Sequence, residues 1–342
     1  MVRRLCGVQA QVASSAELAV GLRCAAAQPG AVEQGLRDKT LMKTWAMRGT
    51  LHALPTDEAA AYLTLLAAAR TWEKPAWQRA FVTAGQLAKL TDAAAELLDG
   101  RVLSREELIA GVLARTGDAG LAEQLGSGWG AVLKPLAWQG YLCHGPSQGN
   151  RITFTRPDSW LPGWRGPGDP AEAARHVVPA YLGAYGPASP ETFDQWLCRG
   201  ASKKSALKGW FAQLGTELVS IEVEGQRLHA RSSDVDSLAT IRPREVVRLL
   251  PGFDQYVLGP GTADPQIIPA GRRNEVSRAG GWISPVVVAG GRVAGTWQTT
   301  GEVLEVALFA EAGRVSAEAL EAETARIAAL RGAALTLSVR TG

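Results

Sequence analysis

Two glutamines near the start of the chain are the first residues whose type and spacing could do chemistry. Gln9 and Gln11 flank Ala10 in the stretch GVQAQ at 7–11. An amide side chain has no pKa useful for acid or base catalysis, but it offers both a hydrogen-bond donor and an acceptor. Such a pair could hold and orient one water molecule. The alternative is that both are solvated glutamines on the surface of an amphipathic helix, where this residue type is common.

Helix geometry limits how the two glutamines can cooperate. The apolar residues of 2–28 follow a helical period that Gln28-Pro29-Gly30 interrupts. In a regular helix, residues i and i+2 point about 200° apart, so Gln9 and Gln11 cannot share a face. Either the helix ends or distorts at the motif, or only one glutamine faces a substrate. We expect a local break or loop that aims both amides at one water.

Basic residues give further candidates. Arg48 could contact a phosphate and His52 could line a pocket, changing charge near neutral pH; a capped turn with a core histidine explains them equally well. Lys203, Lys204 and Lys208 lie in ASKKSALKGW, where the last two share one helix face. That pattern is typical of a recognition helix that binds phosphates, or of a solvated basic face.

A third basic cluster lies in PAGRRNEVSRAGG at 269–281. Arg272, Arg273 and Arg278 are predicted to occupy a hairpin tip that enters the minor groove of DNA, the alternative being a surface loop. TWEKPAWQRAF at 71–81 mixes aromatic and basic residues, which we interpret as core packing rather than base stacking. Asp254 is interpreted as an acidic turn residue rather than a general base.

Composition excludes several classes of protein. The net charge of the 342 residues is +3, so a nucleic-acid partner would have to be bound by a local basic patch. The four cysteines show no metal-ligand spacing, and no phosphate-binding glycine loop occurs, so we predict no metal and no cofactor. Without an apolar leader or an 18-residue apolar run, we expect a cytoplasmic protein, working at the nucleoid and not at a membrane.

Local patterns predict several elements. A second helix fits residues 31–47, and RGTLHALP at 48–55 is predicted to be a strand or wing that follows it. Ser104 and Glu107 have the spacing of a capping box at a helix start. Gly290-Gly291, between alternating apolar runs, indicates a hairpin turn.

The elements recur in one order, namely helix, helix, hairpin, as in a winged helix-turn-helix. The predicted fold class is α+β, with tandem winged helix-turn-helix modules followed by a small C-terminal β-barrel-like domain. We expect the first module to lack its first helix. The predicted domains are residues 1–85, 86–160 and 170–240 for the winged helices and residues 243–342 for the β-rich domain.

Four stretches, in this order along the chain, resemble the AlkZ/YcaQ-like family of winged-helix DNA glycosylases. They are GVQAQ at 7–11, TWAMRGTLHALP at 44–55, LLPGFDQYVLG at 249–259 and GWISPVVVAGGRVAGTW at 281–297. The family has Gln-x-Gln and Gln-x-Asp forms of its catalytic motif. The Gln-x-Gln form found here is similar to the AlkZ branch, which is associated with self-resistance to DNA-alkylating natural products.

The resemblance implies that Gln9 and Gln11 are catalytic in hydrolysing the N-glycosidic bond of N7-alkylated purines. It implies a monofunctional enzyme without a cofactor, acting as a monomer on alkylated double-stranded DNA, where it would also unhook interstrand crosslinks. The remaining alternatives are a winged-helix transcriptional regulator or other non-catalytic DNA-binding protein, and a protein that sequesters the alkylating compound itself.

Overall fold

The computed structural model describes residues 1–26, 28–126, 130–242 and 244–342. This part of the chain forms two compact units, and neither is continuous in sequence. Unit 1 contains Met1–Gln34, Leu182–Ala188 and Val219–Gly342, and unit 2 contains Gly35–Tyr181 and Ser189–Leu218. The division into four consecutive domains stays a prediction. No helix of the described residues is long and apolar enough to cross a membrane.

Helices and strands alternate along most of the chain. The α-helices of the described residues are α1 (Ala13–Gly21), α2 (Ala31–Arg37), α3 (Thr56–Ala68), α4 (Pro75–Ala80), α5 (Ala84–Leu97), α6 (Arg105–Thr116), α7 (Gly120–Gly126), α8 (Lys134–Trp138), α9 (Pro157–Trp160), α10 (Pro170–Tyr185), α11 (Pro190–Cys198), α12 (Lys204–Ala212), α13 (Val235–Thr240), α14 (Gln255–Leu258), α15 (Arg273–Val276) and α16 (Ala317–Arg331). The strands are β1 (Val8–Gln9), β2 (Leu41–Trp45), β3 (Leu51–Pro55), β4 (Leu103–Ser104), β5 (Cys143–His144), β6 (Thr153–Thr155), β7 (Leu218–Val223), β8 (Gln226–Arg231), β9 (Val247–Leu250), β10 (Val286–Ala289), β11 (Arg292–Thr300), β12 (Val303–Leu308) and β13 (Thr336–Thr341).

The N-terminal segment is broken at the glutamine motif, as expected from the spacing. A 3₁₀ turn at Val2–Leu5 ends at Cys6 and Gly7, whose φ angles of 51° and 95° are left-handed. The chain then runs extended through β1 and turns into α1 at Ala13. A single helix over 2–28 is therefore wrong, because two successive left-handed residues cannot continue a right-handed helix.

The helix predicted for residues 31–47 ends at Arg37. Lys39 has a φ of 59°, and the chain continues as β2, which pairs antiparallel with β3. Met42 and Thr44 are buried whereas Leu41 and Lys43 are half-buried, the two-residue alternation of a strand. The strand predicted within RGTLHALP is confirmed as β3, but its partner β2 lies in the stretch that was predicted to be helical.

In unit 2, residues 84–155 run in the order α5, β4, α6, α7, α8, β5, β6. β6 lies in the middle of a three-stranded antiparallel sheet, with β4 on one side and β5 on the other. The predicted capping box is confirmed, because Ser104 Oγ accepts the N–H of Glu107 at 3.2 Å and the Glu107 carboxylate accepts the N–H of Ser104 at 2.7 Å. Leucines of α5 and α6 pack on Phe154 from the sheet.

Unit 1 is built on a five-stranded sheet in the order β13-β12-β11-β10-β9. Its strands are antiparallel except for β12 and β13, which are parallel and joined by α16. The predicted hairpin at Gly290-Gly291 is confirmed, with φ angles of 55° and 83°. Within the described chain β9 and β13 are the two edges, so the predicted barrel-like closure is not found and the sheet is open.

Both faces of this sheet are covered. Leu18 of α1, the following Leu22 and Ile327 of α16 pack with Val287 and Leu304 on one face. The opposite face packs Val286 and Val288 against the segment that follows β9, including Phe253. Burial of α1 against the sheet therefore fixes the helix that follows the glutamine motif.

Candidate functional site

The two glutamines have different environments. Gln9 lies in β1 and is 4% exposed, whereas Gln11 lies in the bend before α1 and is exposed. Gln9 is therefore not a solvated residue on a helix surface, and that alternative is wrong for it. The common orientation of both amides toward one water stays a prediction. Of the two, Gln11 is the amide that solvent reaches directly.

A hydroxyl from a distant segment holds the turn that precedes the motif. Tyr185 Oη donates to the carbonyl of Leu5 at 2.5 Å. The Tyr185 ring packs so closely on Gly259 that a Cβ there would lie 2.2 Å from the ring. A glycine at the end of LLPGFDQYVLG is thus required by packing, because any side chain would displace this tyrosine.

An ion pair anchors the other end of α1. Arg23 donates from Nη1 and Nη2 to the two Asp254 oxygens at 2.8 and 2.7 Å, and Nη1 also donates to the carbonyl of Ala19 at 2.9 Å. Asp254 is fully buried and accepts the N–H of Tyr256 at 2.8 Å, which caps α14. The interpretation of Asp254 as a turn residue is confirmed, and both its oxygens are engaged.

An open cleft of about 710 Å³ adjoins the first turn of α1 in unit 1. Ser14 and Ser15 form part of its wall, with Arg278 and Trp282 on the loop before β10. Trp282 is 46% exposed. Arg331 and Arg340 also line the cleft, as do Glu275 and Glu305. Hydroxyls, guanidinium groups and an exposed indole are the groups that contact sugar, phosphate and base in nucleic acids.

The cluster predicted as a hairpin tip has a different structure. Residues 270–281 form short helical turns around α15 rather than strands. Arg272 binds the carboxylates of Glu275 and Glu311, and its guanidinium carbon lies 4.7 Å from the Phe309 ring centroid. The predicted hairpin tip is therefore wrong, since the backbone is helical there. The two carboxylates and the Phe309 ring hold the Arg272 side chain within unit 1. Arg273 and Arg278 are exposed, and their contact with DNA stays a prediction.

Arg48 and His52 lie on the β2–β3 hairpin in unit 2. Arg48 is half-buried, has a φ of 59° and donates to the carbonyl of Trp196 at 3.1 Å. His52 is completely buried, with Nδ1 3.0 Å from the carbonyl oxygen of Thr50. A direct contact of His52 with DNA is therefore incompatible with its burial. The expected charge change near neutral pH is also wrong, since burial and the nearby Arg48 lower its pKa to about 3.

His144 is a second histidine whose pKa is lowered, and the two together predict that the protein is sensitive to acid. Burial and the charge of Lys43 lower the pKa of His144 to about 3. In the unfolded chain both rings take up a proton near pH 6.5, whereas the folded protein keeps them neutral. Protons thus favour unfolding, and stability should fall as the pH drops from about 6.5 toward 3. We expect a loss of roughly 2 kcal/mol for each ring at pH 5 relative to pH 7.

Urea unfolding at pH 7 and pH 5 measures this loss. His144→Phe keeps a ring between Trp45 and Phe154, to which the His144 ring centroid lies 5.2 and 5.0 Å away. This variant should lose about 2 kcal/mol less between the two pH values. His176→Gln, at a ring that is 44% exposed, is the control. An identical pH dependence in His144→Phe and the wild type would contradict the assignment.

The lysine cluster has the predicted placement. Lys203 immediately precedes α12, and Lys204 and Lys208 lie on that helix with all three side chains exposed. Leu207, Trp210 and Phe211 form its buried side. The helix and its basic face are thus confirmed, and binding of phosphates by this face stays a prediction.

Comparison with known proteins identifies the chain's relatives. The family model described as DNA glycosylase AlkZ-like matches residues 2–330. The interstrand DNA cross-link repair glycosylase of Streptomyces sahachiroi is 49% identical over 334 residues, which cover 97% of this chain and 90% of that relative. The solved structure of the Streptomyces sahachiroi DNA glycosylase AlkZ matches with a TM-score of 0.94 and 48% identity, covering 100% of this chain and 92% of that one.

These matches span both units and the glutamine motif. They support an enzyme that acts on DNA, rather than the transcriptional regulator that the helix-helix-hairpin order alone allows. The mixed α and β architecture is likewise shared with the matched structure. The chain belongs to the AlkZ-like family of DNA glycosylases.

Proposed function

We propose that the protein hydrolyses the N-glycosidic bond of N7-alkylated purines in double-stranded DNA, with Gln9 and Gln11 as the catalytic residues. The observation that carries the proposal is the break at the motif, which takes both glutamines out of any helix and leaves Gln11 exposed before α1. The Gln-Ala-Gln segment lies within the region matched by the family model.

The substrate explains why amides suffice. Hydrolysis of an ordinary glycoside needs an acid to protonate the leaving group and a carboxylate as base or nucleophile. An N7-alkylated purine already carries a positive charge and leaves as a neutral base, so no acid is required. The protein then has to position a water near C1′ and stabilise an oxocarbenium-like sugar. An amide oxygen can accept a hydrogen bond from that water and present partial negative charge.

The chemistry also sets a limit on the substrate. Positioning contributes at most roughly 7–11 kcal/mol to lowering a barrier. Without a carboxylate to add electrostatic stabilisation, the enzyme should release labile cationic adducts and leave uncharged normal bases in place. Asp254, which the sequence analysis weighed as a general base, is buried and bound to Arg23.

Interstrand crosslinks are proposed as further substrates, in self-resistance to a DNA-alkylating natural product. The Streptomyces sahachiroi relative is an interstrand DNA cross-link repair glycosylase, and the two chains are 49% identical. A crosslinked purine cannot rotate freely into a closed pocket, because its partner strand holds it. The open cleft beside α1 suits attack at the duplex surface.

The DNA would be bound by a monomer through winged helices. The α5–β4–α6–α7–α8–β5–β6 order, with β6 central in its sheet, supports a winged helix at 86–160. α11, α12 and the β7–β8 hairpin repeat the order at 170–240, and the turn residues Glu224 and Gly225 have the positive φ angles of a tight hairpin. The exposed lysines of α12 would contact phosphates.

The test is release of free base. We expect the wild-type protein to release 7-methylguanine from a methylated duplex, to leave an abasic site without strand cleavage, and to leave unmodified guanine in place. A crosslinked duplex should separate into single strands on a denaturing gel after treatment. Binding to one DNA sequence without release from any N7 adduct would instead support a regulator.

A further inference from the structure

Unit 2 contains a second cavity, of about 220 Å³, whose lining combines positive charge with aromatic rings. The described residues that line it include no aspartate or glutamate. Its charged and aromatic members are Arg48, Lys134, Arg199, Trp77, Phe81 and Trp138. We call these six residues the cationic pocket. An anion with a flat ring is the chemistry that such a lining would bind.

Two cations of the pocket, Lys134 and Arg199, lie close enough for the charge of one to affect the other. Lys134 is half-buried at the start of α8, and its Nζ lies 3.6 Å from the position that a Cβ on Gly49 would take. Burial, and then the charge of Arg199, lower the pKa of Lys134. Holding like charges together in a partly desolvated place is unfavourable unless an anion neutralises them. The cavity therefore fits a negatively charged ligand.

Backbone conformation gives independent support. Arg199 caps the C-terminus of α11 with φ 59° and ψ 39°, and Arg48 also has a φ of 59°. A left-handed residue after a helix is usually glycine, because other residues are strained there. Strained residues cluster at functional sites, where the side chain is needed despite the loss of stability. Two arginines in this conformation face the same cavity.

The interpretation of TWEKPAWQRAF as core packing holds in part, because Trp77 and Phe81 pack against the core of unit 2. Both rings are only half-buried and also line the cavity, so its aromatic side can hold a ring. The Trp77 and Phe81 rings have centroids 5.0 Å apart, and the buried Nε1 of Trp138 has no hydrogen-bond partner among the described residues. Such a donor is costly to bury unless a ligand completes its bonding. The volume is below the roughly 300–1,000 Å³ of drug-sized pockets, so it suits a ligand no larger than one nucleotide.

We propose that the cationic pocket binds one nucleotide of a DNA strand, with its phosphate at Lys134 and Arg199 and its base against Trp77. The ligand class rests on the proposed function, because DNA supplies the phosphate and the ring together. A free nucleotide has the same chemistry and is the other source that the test must separate. The pocket is a binding subsite and takes no part in the bond cleavage.

Arg199→Gly gives the sharpest test, since it should move stability and binding in opposite directions. Removing the strained side chain should raise the midpoint of thermal unfolding by roughly 2 °C. Affinity for a methylated duplex should fall about tenfold, and the plot of log Kd against log salt should become shallower by about one unit. A side chain with only a structural role would not produce this combination.

Two further variants and one control complete the test. Lys134→Ala and Trp77→Leu should each weaken duplex binding about tenfold, the latter through lost stacking. Lys89→Ala removes an exposed lysine of α5 that does not line the pocket, and it should bind within about twofold of the wild type. Thermal unfolding of each variant checks that it remains folded.

The outcomes separate the pocket from the proposed function. Unchanged duplex affinity in Arg199→Gly and Lys134→Ala would overturn the pocket, whether or not the wild type releases base. Weakened binding in these variants supports the pocket even if no base is released, an outcome that would count against the glycosylase chemistry alone. If the variants lose binding of free deoxyadenosine monophosphate but keep duplex affinity, a DNA strand is not the ligand and the proposal fails.

Discussion

Gln11→Ala should lower the single-turnover rate of 7-methylguanine release by roughly 100-fold, the cost of mispositioning a reacting group. Gln11 is exposed in the bend before α1, so its removal takes away a hydrogen-bond acceptor for water without opening a cavity. The midpoint of thermal unfolding should therefore change by less than about 2 °C, as for other exposed residues. Base release is followed by chromatography, with enzyme in excess over a methylated duplex.

Gln9→Ala should show the same fall in rate together with a loss of stability. The Gln9 side chain is 4% exposed, so its truncation leaves a small void and disturbs buried polar groups. We expect the free energy of unfolding to fall by about 1–2 kcal/mol, measured in urea. The two variants thus separate the catalytic contribution, which both share, from the structural contribution, which only Gln9 makes.

The control for both is Gln28→Ala, which removes an exposed glutamine beyond the C-terminal end of α1. It should release base at the wild-type rate. If Gln9→Ala and Gln11→Ala also released base at that rate, the motif would have no part in the mechanism. A fall in rate confined to Gln9→Ala would reduce the role of the segment to folding.

Local geometry explains what the sequence predicted well. The break at the glutamines follows from the 100° turn per helical residue, and the hairpin at Gly290-Gly291 follows from the positive φ angles that two glycines permit. The capping box at Ser104 is likewise local. Each of these depends on residues within a few positions of one another, so the pattern alone is sufficient.

What the sequence could not predict depends on distant partners. The apolar residues Leu41, Met42 and Trp45 fit a helix as well as a strand, and pairing with β3 decides between them. The sequence gives no sign that Arg272 is paired, because its partner Glu311 lies 39 residues away along the chain. Nothing in the sequence marked Arg199 as a site residue. What distinguishes it is the left-handed φ angle that it adopts at the C-terminus of α11, and this is visible only in the structure.

Breaking the ion pair between Arg23 and Asp254, which are 231 residues apart, should cause the largest change in stability. Asp254→Ala should lower the free energy of unfolding by about 3–5 kcal/mol, because it leaves the guanidinium of Arg23 without its buried counter-charge. Asp254→Asn keeps an oxygen for the N–H of Tyr256 and should lose less. Because Arg23 follows α1, both variants should also slow base release by displacing the helix that begins after Gln11.

Comparison with an exposed ion pair shows whether burial is the cause. Glu311→Ala breaks the contact with Arg272 at a carboxylate whose side chain is 50% exposed, so stability should barely change. The double variant Arg23→Met with Asp254→Leu replaces both charges by apolar groups and should recover part of the stability that Asp254→Ala loses. Equal losses in the double variant and in Asp254→Ala would mean that packing around residue 254, rather than the stranded charge, sets the stability of this end of α1.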